Sequence, residues 1–349
     1  MITINTIYHI SQQLNIYWGL LMFLFGFVGN LWNIFIFRHF SLRLSSCCTY
    51  MLVGSVANII QISFSLTDQI IDQGFEIETT EHSIIWCKIR SYIIQCASLT
   101  SLSCLVLSVI DRFFSTCRQI KWRHLNSVRT ARQICIIITT FWIFVSIPTL
   151  IYAEPKEISL DQRLCTSTSY VWSKIITYFF NLCCYGILPW VFTSLFGFLT
   201  CRKLHQIHTR RIGIFPSVIP SRMARIDDQL NSMLFFQIIL CLISSIPFST
   251  QLIYQIITAN TEKDHYRRAQ EYLFEQISSL FFYFNYISSF YIYYSSSNIF
   301  RQVSKQVLIN LCKKEEDRSR QITIINHRDS QTQSEKARLH IFTIRSNTS

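Results

Sequence analysis

The stretch SYIIQCASLTSLSCLVLSVIDRF, residues 91–113, says more about the architecture of this chain than any other. Ser91 to Ile110 contains no Asp, Glu, Lys or Arg, and the charged pair Asp111–Arg112 follows directly. A helix of about 20 uncharged residues is long enough to cross the ~30 Å hydrocarbon core of a membrane. The stretch therefore predicts a membrane-spanning helix with charges at one end.

Six other windows of comparable length also lack charged residues. They are Met1–Phe37, Leu44–Thr67, Gln133–Ala153, Ile175–Cys201, Gln229–Thr261 and Gln276–Phe300. Only 15% of all residues are charged and 50% are hydrophobic, whereas roughly a quarter of a soluble domain is charged. The windows are continuous rather than alternating, so they predict helices and not barrel strands. We expect an all-α membrane protein, a seven-transmembrane helix bundle.

Charged residues between the windows predict the orientation of the bundle. The first, third and fifth connections are rich in Lys and Arg, and the others carry most of the acids. Basic loops stay in the cytoplasm, so the N-terminus is predicted outside and the C-terminus inside, in the plasma membrane. The net charge of +12 then faces anionic lipid, and no nucleic-acid partner is needed to explain it.

The thirteen cysteines divide by this topology. Cys87 starts the third span, just before its uncharged window, and Cys165 lies in the second outer loop. Both are on the oxidising side, which favours a disulfide between them. Cysteines within the windows are expected to be small apolar packing residues. Their spacing contains no metal-ligand pattern, and we predict no metal and no cofactor.

The motif at the inner end of the third window carries a family resemblance. Asp111–Arg112–Phe113 is similar to the Asp-Arg-Tyr motif of rhodopsin-like G-protein-coupled receptors, and 25 residues separate Cys87 from Arg112, as in that family. The chain thus resembles these receptors across all seven windows. The resemblance implies a receptor, not an enzyme, that binds an extracellular ligand and activates a heterotrimeric G protein.

Further positions fall in register with the family pattern. These are the first-span Asn30, the fourth-span Trp142, and the prolines Pro189 and Pro247 of the fifth and sixth spans. Asp227 matches an acid that pairs with the third-span arginine in the family. Such a pair would hold the inner helix ends together; alternatively, Asp227 stabilises a helix N-terminus.

Several positions depart from the family pattern. Asn58 replaces an aspartate of the second span, so we expect little effect of sodium. The seventh-span motif reads SFYIY at residues 289–293 and keeps only Tyr293, while SSIP at residues 244–247 lacks the usual tryptophan. Gly197 stands where a tyrosine is usual. The resemblance therefore supports the fold more strongly than the details of activation.

Domain boundaries follow from the same comparison. We predict an extracellular N-terminus over residues 1–15, the seven spans over 16–297, an amphipathic membrane-surface helix over 298–312 and a disordered cytoplasmic tail over 313–349. Cys312 is a candidate for lipidation or a plain free thiol. Hydroxyl residues of the tail could be targets of a receptor kinase and recruit arrestin.

Two residues that amine and retinal receptors need are missing, so both of these ligand classes are disfavoured. Ile94 occupies the position where amine receptors carry an aspartate, and residues 276–300 contain no lysine for a retinal Schiff base. The third-span wall of the pocket would offer Ile94, Gln95 and Ser98. Outer-loop carboxylates would attract a cationic peptide, or are simply solvated. We favour a neuropeptide, because the chain looks most like invertebrate FMRFamide-receptor-like proteins.

Two other functions stay open at this point. A chemosensory receptor on the same fold would fit the altered motifs and short N-terminus. A seven-span transporter or channel is the alternative from a different class, although transporters usually carry ionisable residues inside the membrane, and these windows have none.

Overall fold

A computed structural model describes residues 4–40, 42–76, 83–116, 127–159, 162–214, 222–258 and 261–313. The chain forms a bundle of seven helical spans. The first three are Ile4–Phe37, Ser46–Gly74 and Ile84–Thr116. The fourth is Val128–Val145 with Ile147–Tyr152, and the fifth runs through Tyr170–Lys174, Ile175–Ile187 and Leu188–Ile214. The sixth is Arg222–Ile257, and the seventh is His265–Ile287 with Ser289–Ser296.

The seventh span differs in composition from the other six. Among the described residues, six helices are long and apolar enough to cross a membrane by themselves, and the seventh span is not one of them. Its helix is interrupted at Ser288, and Ser, Asn, Gln and Tyr dilute its apolar residues. Nine residues of His265–Ile287 are nevertheless buried. The buried side of this span packs against neighbouring spans, and its polar side chains are tolerated there because those spans satisfy them.

The main apolar cluster lies where the first, second, third and seventh spans meet. It consists of Met22, Ile62, Leu66, Ile70, Leu102, Leu280, Phe282, Tyr283, Tyr286 and Ile287. Glycines let the first span approach closely: a Cβ at Gly19 would lie 2.6 Å from Ile70 Cγ1, and one at Gly26 would lie 2.8 Å from Ile287 Cγ1. Membrane helices associate mainly by close packing, and a glycine lets two helix backbones approach more closely than a larger residue would.

The second and fifth spans are not regular α-helices throughout. The second is α-helical over Ser46–Gln61, then passes through Ile62–Leu66 and Ile70–Gly74 as π-helical turns on either side of Thr67–Gln69. The fifth is π-helical over Ile175–Ile187. Such turns are uncommon and are often found at functional sites. Asp68 lies in the short segment between the two turns of the second span.

Three elements differ from the sequence expectation in extent. The first helix begins at Ile4, so residues 4–15 of the predicted N-terminal segment are helical. The second span continues to Gly74, which places Asp68 in a helix rather than an outer loop. The loop between the fourth and fifth spans forms an antiparallel hairpin of β1, Ala153–Ser159, and β2, Gln162–Ser167. Charge counting alone indicated neither the longer helices nor the hairpin.

Beyond the bundle, Arg301–Ser349 forms a separate unit. Its described part, residues 301–313, is helical, and Cys312 on it is exposed. The tail predicted to be disordered lies outside the described residues from residue 314 onward.

Candidate functional site

The outer end of the third span is bonded covalently to the hairpin. Cys87 forms the predicted disulfide with Cys165, and their Cα atoms are 5.9 Å apart. Cys165 lies on β2 opposite Pro155 of β1. Cys87 itself is fully buried. The disulfide therefore holds the hairpin beside the entrance to the bundle.

A buried ion pair joins the second and third spans just below the disulfide. Arg90 Nη1 pairs with Asp68 Oδ2, and the two side chains are only 12% and 18% exposed. The guanidinium Nε is buried and has no hydrogen-bond partner among the described residues. Tyr283 of the seventh span lies within electrostatic reach of Arg90, and its hydroxyl bonds to Ser65 Oγ at 2.6 Å.

A second charged cluster joins the sixth and seventh spans at the same end. Glu271 accepts hydrogen bonds from Tyr254 Oη at 2.6 Å, Lys263 Nζ at 2.6 Å and Arg267 Nε at 3.1 Å. These three donors offset the cost of partly burying the carboxylate. Glu271 is therefore a stable anion at the mouth of the bundle.

The three predicted pocket residues point in different directions. Gln95 accepts a hydrogen bond from Thr149 Oγ1 of the fourth span at 2.5 Å, while Ser98 Oγ bonds to Tyr286 Oη of the seventh span at 2.7 Å. Ile94 is half-buried. Ser98 and Ile94 remain candidates for contact with a ligand. Gln95 is engaged with the fourth span.

At the centre of the bundle, uncharged polar side chains form one hydrogen-bonded network. Asn30 donates to the carbonyl oxygens of Gly26 and Tyr286, each at 2.8 Å. Asn58 donates to Asn30 Oδ1 at 3.0 Å, and Ser101 donates to Asn58 Oδ1. The first, second, third and seventh spans are thereby joined through Asn30 and Asn58, and neither residue adds a formal charge.

Below this network lies a cavity of about 30 Å³. Its lining includes Tyr50, Asn58, Ser101, Gln237, Asn285 and Tyr293. The volume is enough for about two water molecules. Gln237 is 2% exposed, and its Oε1 has no hydrogen-bond partner among the described residues. The lining offers oxygen acceptors without a carboxylate, which suits water better than a metal cation.

The altered sixth-span motif retains a polar connection to the seventh span. Ser244 Oγ donates to Asn285 Oδ1 at 2.9 Å, and Asn285 Nδ2 donates to Ser245 Oγ at 3.1 Å. Pro247 lies inside the helix one turn further out. The two serines therefore hold the spans together where a tryptophan ring is usual.

The residues outside this centre that match the family pattern are also packed. Trp142 Nε1 donates to Ser103 Oγ at 2.8 Å, which joins the fourth span to the third. Pro189 O accepts from Thr193 Oγ1 at 2.5 Å within the fifth span. Tyr293 is buried, with ring centroids 5.8 Å from both Phe37 and Phe300.

At the inner end, the arginine of the third span is paired with its neighbour. Arg112 Nη2 donates to Asp111 Oδ2 at 3.0 Å, and Ser46 Oγ of the second span donates to the same oxygen at 2.8 Å. Both charged side chains are at least 95% buried. Removing either partner of such a pair typically costs about 3–5 kcal/mol, because the other charge stays buried.

A crevice of about 30 Å³ opens beside Arg112 between the third, fifth and sixth spans. Gly197 lines it, and a Cβ there would lie 3.0 Å from Ile238 Cδ1. Phe113 packs against Phe196, with ring centroids 5.4 Å apart, and Lys203 Nζ lies 4.3 Å from the Phe113 ring centroid. Asp227 is in the sixth-span helix, but its side chain lies outside the part of the chain that the structure describes.

The fold and the site together define a membrane-spanning receptor bundle. It has seven helices, a disulfide at the outer end, a neutral hydrogen-bonded centre and a buried arginine beside an inner crevice. The family comparison is more specific, because residues 29–288 match the model described as 7 transmembrane receptor (rhodopsin family). The chain belongs to that family. The resemblance noted in the sequence is confirmed at this level, and an extracellular ligand and a G protein are the partners that the family implies. No curated protein matches the chain.

Sequence reasoning missed three groups of residues at the site. Asp68 directly follows one uncharged window and Arg90 directly precedes another. These positions are the feature of the sequence that could have indicated the pair. The Glu271 cluster was counted only as outer-loop charge. Gln237 carried no signal, since an uncharged glutamine does not interrupt a window.

Proposed function

We propose that the chain binds an extracellular peptide and activates a heterotrimeric G protein at its inner end. The observation that supports this best is the buried Arg112–Asp111 pair beside the crevice between the third, fifth and sixth spans. This pair lies within one helix, so the sixth span can move away without breaking it. Widening of the crevice would then bring Arg112 into contact with the G protein.

Asp227 is proposed as a second partner of Arg112 in the inactive state. It lies near the start of the sixth-span helix, at the position that matches the family acid. An ion pair between the two inner ends would favour the closed crevice. Ligand binding outside would have to overcome it, and a receptor without this acid should have a higher basal activity.

A peptide is proposed as the ligand because the outer end carries many charged and hydrogen-bonding groups. Glu154 and Glu76 are described near the entrance, while Glu78, Glu81, Glu157 and Asp161 lie outside the described side chains. This end is proposed to be extracellular, with the C-terminus in the cytoplasm. Receptor kinase and arrestin are proposed partners of the tail, and lipidation is proposed at Cys312.

The test is G-protein activation in cells that express the wild type or Arg112→Ala, exposed to amidated peptides and to small odorants. We expect a peptide response in the wild type and a loss of at least about tenfold in Arg112→Ala at equal surface expression. Arg43→Ala is the control, because Arg43 is exposed in the first connection on the same side. Responses to odorants alone would favour the chemosensory function, and no response to any compound would contradict the proposal.

A further inference from the structure

Gln229 joins the inner end of the sixth span to the end of the seventh. Its side-chain oxygen, Oε1, accepts hydrogen bonds from Ser297 Oγ at 2.8 Å and from the backbone N–H of Ile299 at 2.7 Å. Ser297 Oγ in turn accepts from the N–H of Phe300 at 3.1 Å. One oxygen atom of the sixth span thus accepts from two donors of the neighbouring element.

The two donors are available because the seventh span ends at this point. Its helix ends at Ser296, and Ser297 has an extended backbone with φ −126° and ψ 120°. Residues 298–313 are helical again, and the first N–H groups of a helix have no acceptor within it. The N–H of Ile299 is one of these groups, so Gln229 supplies an acceptor that the new helix lacks.

The side of this contact that carries the donors is packed into the bundle. Phe300, which follows Ile299 directly, is 1% exposed. Its ring centroid lies 5.8 Å from those of Phe37 and Tyr293, in the first and seventh spans. Since the donors are held by these buried rings, a separation of the two elements requires the sixth span to move.

A second contact joins the same two spans near the centre of the bundle. Ser244 and Ser245 bond to Asn285. Fifteen residues (244 − 229) separate Ser244 from Gln229, which corresponds to about 22 Å along a helix. An outward swing of the inner end about this central contact keeps the bonds of Asn285 but breaks both bonds of Gln229.

We propose that Gln229 is a positioning residue that holds the crevice beside Arg112 closed until the receptor is activated. Each hydrogen bond favours the state that contains it by about 2- to 10-fold, so the two bonds favour the closed state by about 5- to 100-fold. Opening frees the hydroxyl of Ser297 and the N–H of Ile299, and both then need acceptors from water or from a protein partner. This inference rests on the proposed G-protein function and names the contact that has to break for it.

The first test measures basal nucleotide exchange on a panel of G-protein α subunits, which needs no ligand. Gln229→Leu removes the acceptor, so we expect basal activity per surface receptor to rise about fivefold or more. Gln229→Glu keeps oxygen acceptors for both donors and should not raise it. Gln302→Leu is the matched control, because Gln302 is exposed in the helix that contains Ile299, and it should leave basal activity unchanged.

A double-mutant cycle shows whether the contact itself carries the effect. Ser297→Ala removes one of the two donors, so basal activity should rise about 2- to 10-fold. If Gln229 and Ser297 act through one contact, the double variant should show much less than the product of the two single increases. An increase equal to that product would overturn the assignment, because it would show independent effects.

A distance measurement separates this inference from the proposed function. Nitroxide labels are attached at Arg43→Cys and Asp228→Cys, two exposed positions in the first connection and near the start of the sixth span. Electron paramagnetic resonance then reports the distance between them. Three other thiols are first replaced by serine, namely Cys117, Cys201 and Cys312. We expect a larger population at long distances in Gln229→Leu than in the wild type.

The combined outcomes are distinct. Longer distances with higher basal activity support both the role of Gln229 and the proposed function. Longer distances without G-protein activity in any variant support the role of Gln229 and overturn the proposed function. Unchanged distances in surface-expressed Gln229→Leu overturn the role of Gln229, whatever its basal activity. If that variant does not reach the surface, Ser297→Ala decides the question by the same two measurements.

Discussion

The outer end of the bundle is held by bonds between different elements, whereas the best-buried ion pair of the inner end lies within a single helix. Outside, a disulfide joins the third span to the hairpin, and ion pairs join Asp68 to Arg90 and Lys263 to Glu271. Inside, Arg112 pairs with Asp111, the residue beside it in the chain. The outer bonds thus join separate elements directly, whereas the Arg112–Asp111 pair lies within one helix and is connected to the second span through Ser46.

This difference suits a protein that must bind at one end and open at the other. A binding surface needs fixed geometry, since ordering it during binding costs free energy. An effector surface needs two arrangements with similar energy, and a pair within one helix is kept in both. The ionic bonds between spans should therefore matter for folding and ligand binding, whereas Arg112 should matter for signalling as well as for stability, since its removal leaves Asp111 buried without its charge partner.

The strongest way to break the outer end is to remove its disulfide. Cys87→Ser should lower the free energy of unfolding by about 2–5 kcal/mol and leave the half-buried Cys165 without its disulfide partner. We expect loss of most surface expression and of ligand binding, measured by surface labelling. Cys201→Ser is the control, because Cys201 is a free and exposed thiol. Normal surface expression of Cys87→Ser would show that the ion pairs hold the outer end without the disulfide.

A smaller effect is expected from the Glu271 cluster. Glu271→Gln removes the charge that accepts from three donors, and we expect a loss of about 1–3 kcal/mol, seen as a lower melting temperature in detergent. Glu154→Gln should change stability by about 0.5 kcal/mol or less, because the Lys88–Glu154 pair is exposed.

The pH dependence of this cluster has a defined sign. Protonation of Glu271 removes the charge that Lys263 and Arg267 pair with, so the contribution of the cluster is lost as the medium becomes acidic. In Glu271→Gln this part of the acid destabilisation should disappear. An identical acid profile for both proteins would show that the cluster adds nothing to stability.

The smallest effect is expected from sodium at the centre of the bundle. Asn58 replaces the carboxylate of the family site, and the cavity beside it is lined by uncharged groups. Replacing sodium by N-methylglucamine in a binding assay should change agonist affinity less than about twofold. Asn58→Asp restores the carboxylate and should increase the sodium effect. A large effect of sodium on the wild type would contradict the neutral centre.

The fold could be predicted from the sequence because a helix that crosses lipid must be almost free of charged side chains over about 20 residues. Uncharged windows gave seven spans, including the seventh, whose polar residues keep it from qualifying by hydropathy. The ends of the helices could not be predicted in this way. Gly74 ends the second-span helix among polar residues, where water satisfies the backbone equally well in a loop or a helix.

The part of the candidate site that could be predicted is the part that depends on one residue type alone, namely cysteine. Cys87 and Cys165 were found because only these two cysteines lie on the side that the charge pattern predicts to be oxidising. The partners of Arg90 and Gln95 were not predicted, because each depends on which face of a helix meets its neighbour. The π-helical turns beside Asp68 change that face, and no periodic pattern in the sequence indicates them.

The neutral network around Asn30 and Asn58 has an electrical consequence. Moving one elementary charge through 100 mV of membrane potential involves about 2.3 kcal/mol. The central hydrogen-bonding groups carry no formal charge, and the ion pairs at Arg90 and Arg112 are each neutral as units. A rearrangement of these groups moves almost no charge through the field. We therefore expect the same ligand concentration to activate the receptor in a resting and in a depolarised cell.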